Sequence, residues 1–206
     1  MTLALTVARL ATAVAALAAI VVQLKTLADA GALDAVNFFS YFTIQSNLIG
    51  IAALLLPFGW PRERRPFWVD WVRGAATVYL TVTFVVVIVL LQNIDVGLQL
   101  AWVDVTLHKV TPIVLFVDWL LDPPLWITPR AALAWLVYPL GWLAYTMVRG
   151  PIAGWYPYPF LDPARGGYGQ VAVTILVILA AGAVLCLAIA WLGNRRGSAD
   201  ALAATG

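Results

Sequence analysis

The chain has 206 residues, of which 63% are hydrophobic and 11% charged, with mean hydropathy +0.93 and a formal net charge of +2. A soluble domain of this size carries roughly 25% charged residues, so the composition excludes a soluble enzyme and indicates an all-α, polytopic membrane protein. The small net charge, with no basic cluster interleaved with aromatics, excludes a nucleic-acid partner. A single Cys (Cys186) excludes an internal disulfide, and with a single His (His108) it argues against a zinc centre, which usually takes three or four His, Cys or acid ligands.

A crossing helix needs about 20 mainly apolar residues. Six such runs follow one another, at about 4–27, 37–59, 69–92, 100–121, 131–149 and 169–193, in one transmembrane domain spanning 1–206. The first reads as an uncleaved span, because its apolar run is long and only one Arg precedes most of it. "DAGALDAV" separates it from the second. "WPRERRPFW", "QNIDVGLQ" and "DPPLWITPR" mark the next three breaks. The fifth connection, "RGPIAGWYPYPFLDPARGGYG", is the longest and is rich in Pro, Gly and aromatics. Lys and Arg set orientation. Placing both termini in the cytoplasm puts Arg9, Arg62, Arg64, Arg65, Arg73, Arg130, Arg195 and Arg196 inside, against Lys25, Arg149 and Arg165 outside. The aromatic connection, with Trp155, Tyr156, Tyr158 and Phe160, then faces outward as an interfacial belt or as a lid over a site.

Two polar stripes fall at similar depth. In the second span Ser40, Thr43, Asn47 and Gly50 follow a 3-4-3 spacing and share a face. In the fourth, Asp104, His108, Thr111, Leu115 and Asp118 follow a 4-3-4-3 spacing and again share a face. At 1.5 Å per residue Thr43 lies about 9 Å, and His108 about 12 Å, past the outer end of its span. An ionisable group within a span is a functional candidate by default. If the two faces meet, a hydroxyl and an imidazole come within reach, the minimal parts for nucleophilic acyl transfer. Neutral His108 takes the Thr43 proton as Thr43 attacks a carbonyl. Asp104, one turn away, orients the ring, and Asn47, one turn from Thr43, donates to the oxyanion. Gln45 and Ser46 face elsewhere and serve packing. Thr111 on the fourth span, Tyr145 and Arg149 on the outer half of the fifth, and Tyr158 in the aromatic connection are candidates for binding substrate. No G-x-S-x-G elbow is present. Other readings stay open. A membrane Thr often returns its hydroxyl to the carbonyl one turn back, here Phe39, and polar stripes also act as interhelical glue. The chain could also be a non-enzymatic lipid- or small-molecule-binding membrane protein, or a transporter that relays protons through His108, Asp104 and Asp118.

With "YFTIQSN" early in the second span, "LHKVTPI" in the fourth and "GWYPYPFLDP" before the last, the chain resembles the androgen-induced gene one family, which includes the androgen-dependent TFPI-regulating proteins and small bacterial members. The resemblance covers nearly the whole chain. It implies a membrane threonine hydrolase that cleaves fatty acid esters of hydroxy fatty acids without a cofactor, its Thr at Thr43 and its His at His108. One departure is local: the animal pattern has a second His and an Asn before the catalytic His, where "DVTLH" supplies Asp104. A composition high in Ala, Leu, Val, Trp and Arg and low in Lys suits a GC-rich bacterium and its inner membrane. No feature of the sequence sets the oligomeric state.

Overall fold

The computed structural model describes residues 2–91, 100–124 and 126–203, with backbone alone from 199. The chain is an all-α polytopic membrane protein, with no strand among the described residues. Its helices are α1 (Leu3–Asp29), α2 (Ala35–Ser40), α3 (Phe42–Leu55), α4 (Phe67–Leu90), α5 (Ala101–Val105), α6 (Thr111–Leu121), α7 (Pro129–Leu133), α8 (Val137–Ala153) and α9 (Pro163–Ala203). Among the described residues, five helical stretches are long and apolar enough to cross a membrane. The remaining expected span, 100–121, is a continuous helical run through α5, a π-helical turn at Thr106–Val110 and α6. Asp104, Lys109 and Asp118 make it less apolar than the others. The connection expected at 92–99 lies outside the described residues.

The helices at the centre are those that carry polar side chains. α3 packs against α1 and α4, and α4 against α6 and α9. Gly50 makes one of these approaches possible: a Cβ there would lie 2.7 Å from Leu80 Cδ1 of α4 and 3.0 Å from Leu115 Cδ1 of α6. Small residues let membrane helices approach in this way. α8 and α9 present apolar faces outward: Val148, Ile152, Val173, Leu176 and Val184 are all exposed.

Charge is sorted by end. Near the first residues of α1, Arg9 bonds Asp118 at 2.5 Å and Asp122 at 2.7 Å. Arg65 bonds Asp70 at 2.9 Å and Asp122 at 2.7 Å, while Arg73 bonds Asp70 at 2.8 Å and Asp118 at 2.9 Å. All six side chains are buried. Burial is tolerable because the three positive and three negative groups are mutually paired. The candidate site lies at the opposite end.

The second expected span is not one helix. α2 stops at Ser40, Tyr41 is extended (φ −66°, ψ 127°), and α3 restarts at Phe42. Ser40 therefore does not share a face with Thr43. Its hydroxyl bonds the Val36 carbonyl at 2.7 Å and Tyr145 Oη at 2.9 Å. Backbone groups freed inside a bilayer must find partners within the protein. Gln45 Nε2 donates to the Phe39 carbonyl at 2.7 Å, and Trp142 Nε1 donates to the Ser40 carbonyl at 2.9 Å. Gln45, expected only to pack, thus repairs the break.

Candidate active site

The break places Thr43 in the first turn of α3, directed at His108 on the π-helical turn. Thr43 Oγ1 lies 3.2 Å from His108 Nε2, and His108 Nδ1 lies 2.7 Å from Asp104 Oδ1. Thr43 and His108 are buried, whereas the Asp104 side chain is 36% exposed. An ionised carboxylate only accepts hydrogen bonds, so Nδ1 carries the ring proton and donates it to Asp104. In neutral imidazole this leaves Nε2 as an acceptor facing the Thr43 hydroxyl. The Thr43 hydroxyl does not return to the Phe39 carbonyl.

Pro112 accounts for the π-helical turn. It has no N–H for the carbonyls behind it. The Thr111 N–H reaches back five residues to the Thr106 carbonyl. The Leu107 carbonyl, facing Pro112, takes its hydrogen bond from outside the helix instead, from Asn47 Nδ2 at 3.1 Å. The same Nδ2 donates to the Thr43 carbonyl at 2.8 Å. Asn47 therefore ties the helix that carries Thr43 to the one that carries His108. Both its N–H groups are engaged, so it is not the oxyanion donor expected from spacing.

Of the expected substrate-binding residues, Tyr158 reaches the site. Its hydroxyl is 3.2 Å from both Thr43 Oγ1 and Thr43 N. Arg149 stands one layer back: it donates to Asn37 Oδ1 at 2.6 Å and lies 5.5 Å over the Trp155 ring. Tyr145 bonds Ser40 and borders a separate groove on the α8 side. Thr111 is fully buried with its hydroxyl on the Thr106 carbonyl at 2.9 Å. Asp118 belongs to the ion-pair cluster, about 15 Å along the helix from His108, so the stripe is not a continuous polar path.

Two cavities meet at Thr43. One, of about 220 Å³, is partly polar and includes Gln23, Asp34, Asn37, His108 and Trp155 in its walls. The other, of about 100 Å³, is almost wholly apolar and runs between α4, α8 and α9, past Val82, Val86, Ile175 and Gly182. Thr43, Leu91 and Tyr158 border both. Gln23, Asp34 and Asn37 escaped the sequence reading. A cap signal was available for Asp34, whose carboxylate accepts from the Asn37 N–H at 2.9 Å at the start of α2.

Compared with known proteins, the chain is matched by no family model, no curated protein and no solved structure.

Proposed function

We propose that the protein is an intramembrane hydrolase of lipid esters, fatty acid esters of hydroxy fatty acids or chemically similar ones, with Thr43 as nucleophile and His108 as general base. The observation that carries this reading is the hydrogen-bond chain Asp104–His108–Thr43, its His108–Thr43 end buried where a partly polar and an apolar cavity share walls. Thr43 Oγ1 attacks the ester carbonyl carbon as its proton passes to His108 Nε2. The tetrahedral adduct collapses, the C–O bond to the alcohol breaks, and the alkoxide leaves with that proton. Water, deprotonated by His108, then releases the fatty acid from the threonyl ester. The apolar cavity suits an acyl chain, and the partly polar one suits the alcohol portion and water. The family resemblance supports the same chemistry. This reading places the enzyme in a bacterial inner membrane with both termini cytoplasmic, its site in the outer half and lipid as its partner.

The test is labelling of the purified protein with a fluorophosphonate, followed by peptide mass spectrometry and ester-hydrolysis assays. The adduct is expected on Thr43 and should be lost in His108→Ala. Thr43→Ala should lower hydrolysis on the order of 10³-fold or more. Folded Thr43→Ala protein that hydrolyses esters like the wild type would overturn the assignment.

A further inference from the structure

A nucleophile and a base leave the carbonyl oxygen's developing charge without a partner, and Asn47 is engaged elsewhere. The groups at the first turn of α3 supply what is missing. Ile44 and Gln45 direct their N–H groups to the Tyr41 carbonyl, at 3.1 and 3.2 Å. The Thr43 N–H donates instead to Tyr158 Oη at 3.2 Å, and the same oxygen lies 3.2 Å from Thr43 Oγ1. Tyr158 is 7% exposed. Its ring is fixed on three sides, stacked on Phe160 (centroids 5.3 Å, planes 3° apart) and set against Tyr41 at 5.8 Å and Trp142 at 6.0 Å.

When Thr43 Oγ1 bonds to an ester carbonyl carbon, the former carbonyl oxygen becomes a close neighbour of Oγ1, within reach of the Thr43 N–H. The Tyr158 hydroxyl now rests against that position. We propose that Tyr158 is a catalytic residue of the ester hydrolysis inferred above, donating its O–H to the oxyanion while the Thr43 N–H donates from the helix side. The Oγ1–carbon bond forms and the carbonyl π pair moves onto oxygen, where both donors meet it. As the alcohol leaves, the C=O bond re-forms and Tyr158 keeps its proton throughout. Its chemistry fits this role: burial outweighs the bonds from Thr43 and pushes the phenol up to about 12, so it stays a neutral donor. An alkoxide developing away from bulk water is where such a donor acts most strongly.

The experiment compares full-length wild type, Tyr158→Phe and Thr43→Ala on p-nitrophenyl butyrate, with thermal unfolding of each. Phe keeps the stack on Phe160 and removes only the hydroxyl. For Tyr158→Phe we expect kcat to fall about 10²- to 10³-fold, as for loss of one oxyanion donor, with KM within about threefold. Affinity for a butyryl trifluoromethyl ketone, which forms an oxyanion adduct, should fall by the same factor as kcat/KM. Affinity for the matching unreactive ether should be unchanged. If Tyr158→Phe retains wild-type kcat and ketone affinity while Thr43→Ala is inactive, the role of Tyr158 is overturned and the hydrolase stands. Equal losses of ketone and ether affinity would make Tyr158 a structural prop and overturn the proposal too. If the folded wild type neither hydrolyses the ester nor binds the ketone, the hydrolase reading falls and takes this one with it.

Discussion

In the proposed mechanism Asp104 acts through His108, by setting the tautomer of its ring. Its carboxylate fixes the ring proton on Nδ1 at 2.7 Å, leaving Nε2 for Thr43. Asn at 104 can present an N–H to Nδ1 and so favour the tautomer with its proton on Nε2, which cannot accept from Thr43. Asp104→Asn should therefore lower kcat by about 10²-fold or more with little change in KM, read from steady-state kinetics on a soluble ester. Wild-type kcat in this variant would remove Asp104 from the mechanism. At this scale the sequence was informative where a residue's role follows from its own helix. Asp104 and His108 are one turn apart, and Thr43 is the matching hydroxyl on another span. It was uninformative for Asn47 and Gln45. Their partners are carbonyls orphaned by backbone irregularities, and side-chain spacing does not reveal which carbonyls those are.

Two irregular elements build the site, and they differ in how visible they are. The π-helical turn has its cause written beside it, in Pro112. The break at Tyr41 has no Pro or Gly to announce it, and the residues "YFTIQSN" read as part of one continuous span over 37–59. What holds the break open is tertiary: Trp142 from α8, and Trp155 and Tyr158 packed edge-on to the Tyr41 ring. The apolar cavity between α4, α8 and α9 is likewise a property of packed helices. It has a built-in gauge at Gly182, where an added Cβ would meet only Leu136 Cδ2, at an ordinary 3.5 Å. A longer side chain there extends into the cavity without displacing backbone. Across p-nitrophenyl esters of increasing length, Gly182→Leu should retain wild-type kcat/KM on the acetate and lose roughly tenfold or more on the palmitate. Such a loss corresponds to a little over 1 kcal/mol of binding, within what a few buried methylenes supply. An unchanged chain-length profile would show that the acyl chain lies elsewhere.

The molecule as a whole sets a cavity-bearing end against an ion-paired one. At the far end, Arg9 from α1, Arg65 just before α4 and Arg73 in α4 are tied together by Asp70, Asp118 and Asp122. The helical run that carries His108 is thereby anchored at its far end to α1 and α4, the two helices against which α3 packs. The anchor has a pH signature. Burial alone would raise the Asp122 carboxyl, but Arg73, Arg9 and Arg65 outweigh it and hold its pKa at about 2, against 3.8 for the free side chain. A carboxyl depressed in the folded state contributes stability that is fully present above its unfolded pKa and lost as pH falls toward the folded one. Asp122 should thus contribute on the order of 2 kcal/mol at neutral pH, disappearing between about pH 4 and pH 2. In detergent, the acid decline of the wild-type unfolding midpoint should include a drop between about pH 4 and pH 2. Asp122→Asn should start lower at pH 7 and show a shallower acid decline. A variant whose acid limb matched that of the wild type would mean that the arginines, once unpaired, find other partners, and that the ion-paired end is not held through Asp122.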